Sequence, residues 1–438
     1  VDYSMKYQLH TFGCKVNTYD SGLIQRNLEK NGYGVSKEAG IHVLNTCAVT
    51  GEATKEAVKL VRKIKSQDPL ALVIVTGCAA QVDTGSFESL PGVDLIVANS
   101  HKGFLPQIID QHYKGTLSGK VFKSNIFRKE DLEFGGGEES SHTRSFLKIQ
   151  DGCNQFCSYC IIPYARGKSR SISIKDLAAR VNELSLRGVQ EVVLTGVHIG
   201  DYEDQGRSLE DLVEALLAKT TMSRFRLSSL EPIEVSDRLL DLYQDPRMCA
   251  HFHMSIQSAN DRVLKDMKRK YGQKEVKESL QRIREKVPSA FVGMDVIVGF
   301  PTETDEDFED TYKTLMDSPW SRIHVFPYSE RQGTKAAVMS ETVRREVRLE
   351  RAGQLRSLSL QRYQAEGLAQ VGQVKKALVL KKQSKGAQAL SRDFWPIAFA
   401  NHEEIESLTA NQEVAVKIES FFMNDQRMDG VLQGRLHV

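Results

Sequence analysis

Cys153, Cys157 and Cys160 stand within eight residues of one another in the order C-x3-C-x2-C. Thiolates spaced four and three apart on a tight loop can reach three corners of a cubane 4Fe–4S cluster. The fourth iron then has no protein ligand nearby in sequence, which suits an enzyme whose cofactor or substrate must coordinate metal. An electron carrier would use four thiolates. A zinc site with a distant fourth ligand is the rival for the same spacing. Three more cysteines, Cys14, Cys47 and Cys78, are 33 and 31 residues apart, and each follows a strand-like run (KYQLHTFG, IHVLNT, ALVIVTG). In a parallel sheet all strand C-termini share one edge, where ligands bind. The topology thus predicts a second three-cysteine cluster with another open iron. Cys249 stands alone and reads as a spectator thiol.

The elements that must position these thiols follow from periodicity. Residues 6–100 read as strand–helix repeats, with DLIVAN a fourth strand. A helix from Asn17 to Gly32 carries Leu23, Ile24 and Leu28 on one face, and one from Gly51 to Gln67 carries Ala57, Leu60, Val61 and Ile64. Buried β-branched runs alternating with amphipathic helices imply a parallel sheet. The stretch from Lys129 to Arg144 is acidic, glycine-rich and aperiodic, hence a linker; Gly135–Gly137 has no strand before it and no helix after it to make a phosphate loop. From Ser145 about six βα units predict a partial or full barrel, with the C-x3-C-x2-C loop just after its first strand, where barrel enzymes place their active sites. One long helix runs from Glu341 to Gly367. Beyond Gly372 four short strands (VKKALVLKK, FWPIAFA, EVAVKIESF, GVLQGRL) predict a small antiparallel β-barrel. The α/β chain therefore divides into 1–128, a linker 129–144, then 145–369 and 370–438.

At 438 residues, 40% hydrophobic and 26% charged, the chain is globular and too long for one ordinary domain. No apolar run approaches the ~18 residues of a membrane helix, and no secretory core opens the sequence. A cytoplasmic protein with no membrane contact is expected, its odd number of cysteines kept reduced. The net charge of +2 hides a local excess: residues 370–392 hold Lys375, Lys376, Lys381, Lys382, Lys385 and Arg392 without one acid. Such a face suits a phosphate backbone. Phe394 and Trp395 read as filling a small core, and His251 and His253 as core or surface residues rather than ligands.

The C-x3-C-x2-C loop in this place resembles the radical S-adenosylmethionine superfamily, and the two triads together resemble its methylthiotransferase family over essentially the whole chain. The matching motifs are Gly13-Cys14-Lys15-Val16-Asn17, Asn45-Thr46-Cys47-Ala48-Val49, Gly77-Cys78-Ala79 and the run from Cys157 to Gly167. The resemblance implies an N-terminal cluster domain, a central radical-SAM (βα) partial barrel and a C-terminal TRAM barrel. It implies two 4Fe–4S clusters and S-adenosyl-L-methionine, with Tyr159 near the adenine and Thr195 and Gly196 at the methionine amine. Ser228, Ser229, Glu231, Gln257 and Gly299 are further cofactor positions.

The GCKVN motif and Leu194-Thr-Gly-Val-His-Ile-Gly200 look most like the branch acting on N6-threonylcarbamoyladenosine beside the anticodon. Sister branches act on isopentenyl-adenosine in tRNA or on a ribosomal protein aspartate. The implied chemistry uses one S-adenosylmethionine to methylate a sulfur on the N-terminal cluster. A second gives a 5′-deoxyadenosyl radical that takes hydrogen from carbon 2 of the adenine, an aromatic C–H bond that acid–base catalysis cannot open. Implied partners are a tRNA anticodon stem-loop, an external electron donor of flavodoxin or ferredoxin type and a sulfur source. Lys15, Asn17, Lys375, Lys376, Lys381 and Lys382 are the expected substrate contacts. Of these, Lys15 is expected to meet the threonyl carboxylate, unless it points to solvent, as neighbours at a strand end tend to alternate. A non-catalytic iron–sulfur RNA sensor is the reading from another class, against which the open iron argues.

Overall fold

A computed structural model describes residues 5–49, 51–129, 132, 143–383, 386–399, 402–424 and 429–437, and their side chains except at 51–53, 381–383, 402 and 403. Most of the linker, Gly135–Gly137 included, lies outside the described residues.

Six strands build the first sheet: β1 (Lys6–Thr11), β2 (Gly34–Val35), β3 (Ile41–Thr46), β4 (Leu72–Gly77), β5 (Leu95–Ala98) and β6 (Val121–Phe122). Their order is β2-β1-β3-β4-β5-β6 and every pairing is parallel. Strand β4 is buried along its whole length, which is why it reads as a continuous apolar run. Helix α1 (Lys15–Lys30) buries Leu23, Ile24 and Leu28, and α2 (Gly51–Gln67) buries Ala57, Val61 and Ile64. A short helix, α3 (Cys78–Val82), starts directly after β4.

The second array runs through β7 (Arg144–Lys148), β8 (Gln150–Asp151), β9 (Arg170–Ser171), β10 (Glu191–Thr195), β11 (Arg224–Leu227), β12 (Ser229–Leu230), β13 (His251–Gln257), β14 (Phe291–Val298) and β15 (Arg322–Pro327). Parallel pairing gives the orders β11-β10-β7 and β12-β13-β14-β15, and Ser228 joins the two ribbons. Among the described residues nothing pairs β15 with β7, so the barrel is partial and open on one side. The first sheet's α1 covers that side: its Tyr19 and Leu23 belong to the barrel's own core. Strand alternation sends Leu147, Val192, Leu194, Phe225, Phe252 and Met254 outward beneath the helices. The intervening Arg144, Lys148, Glu191, Arg224, Arg226, His251, His253 and Asp295 therefore line the interior.

A helix over Arg345–Leu368 leads to a closed barrel of β16 (Val374–Gln383), β17 (Gly386–Ser391), β18 (Pro396–Phe399), β19 (Glu413–Asn424) and β20 (Asp429–Leu436). Two corrections arise here. There are five strands, because GAQALS pairs as β17 although it holds no β-branched residue. The barrel is also not antiparallel throughout, since β18 runs parallel to β20. Trp395 is buried in the barrel core, and the partly buried Phe394 stacks on His251 at 4.0 Å between ring centres. Among the described residues no helix is long and apolar enough to cross a membrane.

Candidate active site

The loop triad hangs from the end of β7. Strands β8 and β9 pair antiparallel and close the base of this loop, and the Cys153 N–H donates to the Gly167 carbonyl at 3.1 Å. Ser158 fixes the middle of the loop, its hydroxyl donating to the Asp266 carbonyl at 2.7 Å. All three cysteines are free thiols. Arg269 places Nη1 3.2 Å from Cys157 Sγ and Nη2 2.7 Å from the Glu231 carboxylate. On the other side His198 bonds the Glu234 carboxylate and lies 3.3 Å from Asp201. Burial works against charge on His198, but hydrogen bonds to Asp201, Cys153 and Glu234 push it up to about 12. Burial pushes Cys160 up to about 12 as well.

The second triad assembles at the C-terminal edge of the first sheet. Cys14 caps α1, Cys47 follows β3 and Cys78 opens α3. Two glycines make this approach feasible. A Cβ at Gly13 would lie 2.5 Å from the Cys47 Cβ, and one at Gly77 would lie 2.4 Å from the Thr46 carbonyl oxygen. Both glycines have φ above +90°, a region costly for any other residue. Cys47 and Cys78 are buried and Cys14 is exposed; burial pushes Cys47 up to about 11.

Arg166, from the far end of the loop that carries Cys153, crosses to this triad. Its Nε donates to Cys78 Sγ at 3.2 Å and its Nη2 to Asn17 Oδ1 at 2.6 Å. It also pairs with Asp20 and Asp151, each at 3.0 Å, and Lys102 and Lys148 complete the group through Asp20 at 2.8 and 2.7 Å. All five charged side chains are buried. Three cations face two carboxylates, leaving one positive charge beside Cys78.

The spread of the sulfurs tests what each triad can hold. Among the described residues only His198, Glu231 and Glu234 bring three ligand atoms within 4.8 Å of one another. Neither cysteine triad is that compact, whereas sulfurs around one zinc at ~2.3 Å must be. A spread wider than that leaves room for a group larger than a single ion. The compact His–Glu group is already neutralised by the Arg269 guanidinium.

Residues 147–315 match the radical SAM superfamily, and residues 6–98 match an uncharacterized protein family, UPF0004. The threonylcarbamoyladenosine tRNA methylthiotransferase MtaB of Aquifex aeolicus is 35% identical over 415 residues, 92% of this chain and 99% of that protein. The chain belongs to the tRNA methylthiotransferase family. A tRNA-2-methylthio-N(6)-dimethylallyladenosine synthase of Desulfotalea psychrophila is 31% identical over 76% of this chain and 79% of its own length. The radical S-adenosylmethionine methyltransferase TsrM of Kitasatospora setae shares the fold, with a TM-score of 0.57 at 13% identity over 76% of this chain and 75% of that one. Membership in the radical SAM superfamily brings with it S-adenosylmethionine and a 4Fe–4S cluster.

In this methylthiotransferase the rim of the barrel gathers most of the residues singled out as cofactor contacts. Thr195 ends β10, Ser228 and Ser229 stand at the β11–β12 junction, Glu231 follows β12 and Gln257 ends β13. Gly196 packs against Gln150, whose Oε1 accepts the His198 N–H at 2.9 Å. Among the described residues the buried Ser228 hydroxyl has no partner, as a ligand-binding group would not. Tyr159 lies half-buried with its hydroxyl 3.5 Å from Arg269. Gly299 ends the same array after β14, and a Cβ there would lie 2.3 Å from the Arg348 side chain, so a glycine is needed for Arg348 to pack.

Two expected substrate contacts are overturned. Asn17 is fully buried and spends its amide on the Phe12 and Thr46 carbonyls and on Arg166, tying together the segments that carry Cys14 and Cys47. Lys375 is buried in an ion pair with Asp393. Arg392 is likewise engaged, with Glu413 at 2.7 Å and the Ser223 carbonyl at 3.2 Å. Lys376 is exposed; the side chains of Lys381 and Lys382 lie outside the described residues. Sequence reasoning gave no role to Arg166, Arg269, His198 or Asp20, because most of the groups they bond lie on distant elements.

Lys15 meets the barrel interior. There Glu191 accepts from Arg224 at 2.8 Å and Arg226 at 3.0 Å and lies 3.5 Å from Arg144, while His253 bonds Asp295 at 2.9 Å. The Lys15 ammonium is close enough to feel this group: desolvation first, then Arg144 and Arg226, lower its pKa against the pull of Asp295 and Cys14. Lys15 lies on the same face of α1 as Tyr19 and Leu23, four and eight residues on, which pack into the barrel core. The Lys15 side chain is exposed, and among the described residues it has no hydrogen bond or ion pair.

Proposed function

We propose that this protein attaches a methylthio group to carbon 2 of N6-threonylcarbamoyladenosine beside the anticodon of tRNA, using two 4Fe–4S clusters. The observation that carries the reading is the pair of three-thiol sites bridged by Arg166, which pins a second triad beside the radical loop. When bound, the clusters and S-adenosylmethionine supply the radical and the methylated sulfur. The chain's own residues do the positioning. Cys153, Cys157 and Cys160 would hold one cluster, and Thr195, Gly196, Ser228, Ser229, Glu231 and Gln257 would bind S-adenosylmethionine beside it. Arg269 ties Cys157 to Glu231, so the ligand loop and the cofactor wall move as one unit. Cys14, Cys47 and Cys78 hold the second cluster. The small barrel gives the RNA a docking surface in which Lys376 contributes a phosphate contact. An external electron donor and a sulfur source complete the system.

Mass spectrometry of tRNA nucleosides from cells with and without this protein tests the proposal. Loss of 2-methylthio-N6-threonylcarbamoyladenosine alone is the expected result. Loss of the methylthio form of isopentenyl-adenosine instead would assign the sister activity.

A further inference from the structure

We infer that Lys15, backed by Arg144, is the specificity-determining contact for the substrate's carboxylate; this rests on the function proposed above and deepens it. The two kinds of relative differ in name by the group on N6: threonylcarbamoyl carries a carboxylate, dimethylallyl is a hydrocarbon.

Lys15 stands where local rules disfavour a cation. It is the first residue of α1, where the helix dipole is positive. Of the charged groups in the interior, Arg144 and Arg226 act on it most strongly. The acids there are committed elsewhere, Glu191 to three arginines and Asp295 to His253. His251, which also faces this group, is held neutral by its burial and then by Arg226 and Lys15. A residue that breaks local preference without a partner marks a place completed by a ligand, and here the missing partner is an anion.

The position fits that anion. Carbon 2 of adenine and the N6-bearing carbon 6 are separated by one ring nitrogen. A base whose carbon 2 meets the triad at Cys14 therefore brings its N6 substituent within reach of the adjacent Lys15 side chain. The nucleotide's phosphate hangs from the opposite side of the base. Charge-assisted hydrogen bonds in a partly desolvated interior are strong enough to select on one carboxylate.

The test uses the reconstituted full-length enzyme and two anticodon stem-loop RNAs, one bearing N6-threonylcarbamoyladenosine and one bearing its methyl ester. The wild type is expected to favour the acid over the ester by about tenfold or more in kcat/KM, mainly through KM. Lys15→Gln should lose that preference, falling about tenfold on the acid and less than twofold on the ester. Lys15→Arg should restore part of it. Iron content of all variants should match the wild type, which shows that the neighbouring site has formed. An equal fall on both RNAs would overturn the inference, making Lys15 a phosphate contact or a cluster-tuning residue, and so would no fall on either. A wild type that methylthiolates neither RNA would instead sink the proposed function.

Discussion

Cys153, Cys157 and Cys160 belong to one loop, whereas Cys14, Cys47 and Cys78 meet only because three parallel strands end on one edge. The loop triad is specified by spacing, and its surroundings are supplied by a rim of polar side chains. The edge triad is specified by topology, and its surroundings are a sealed ionic group. Each has one arginine on one sulfur at 3.2 Å, Arg269 on Cys157 and Arg166 on Cys78. The arginines differ in origin. Arg269 serves its own barrel, while Arg166 leaves the radical loop to serve the other sheet. The radical loop is thus part of both sites, and the edge triad is incomplete without it.

Exchanging the triads for alanine tests the separation most severely. Reconstituted wild type should hold about eight iron per chain, and either triple substitution about four. Loss of Cys153, Cys157 and Cys160 should abolish release of 5′-deoxyadenosine from S-adenosylmethionine; loss of Cys14, Cys47 and Cys78 should leave part of it. Full iron in the second variant would mean that the edge triad holds no cluster. Arg166→Met should come next in size. It leaves Asp20 with Lys102 and Lys148 and Asp151 with Lys148 alone, and the charge-assisted hydrogen bonds it removes from both carboxylates are worth about 1.5–3 kcal/mol. The expected result is a lower melting temperature and loss of the edge cluster's iron, with the loop cluster retained. Retention of both clusters at unchanged stability would break the idea that the radical loop completes the second site. Arg269→Met should have the smallest effect. Removing a cationic donor from a ligating sulfur lowers the loop cluster's midpoint potential, on the order of 50 mV for a charge-assisted hydrogen bond. A redox titration followed by electron paramagnetic resonance would read it, and the edge cluster should not shift.

The same contrast governs what the sequence made legible. The cysteines stood out because of their close spacing in one loop and their strand-end positions elsewhere, and the strand–helix rhythm was visible because buried parallel strands are continuously apolar. The polar partners were not visible. Lys375 looks like a surface base until Asp393, 18 residues on, folds against it. Asn17 looks like a substrate contact until Arg166, 149 residues on, claims its oxygen. Strand β17 was missed because Gly, Ala and Gln give no strand signal, and its neighbours on both sides supply the pairing that defines it.

The loop ligands emerge from the ribosome almost together, so a nascent chain carries that binding sequence whole before its barrel has closed. The edge ligands come into register only after β1, β3 and β4 have aligned, and Cys78 gains its arginine later still, once residue 166 has been made. Biosynthesis therefore meets two different problems in one polypeptide: local sequence assembles the loop triad during translation, whereas the edge triad comes together only after long-range folding.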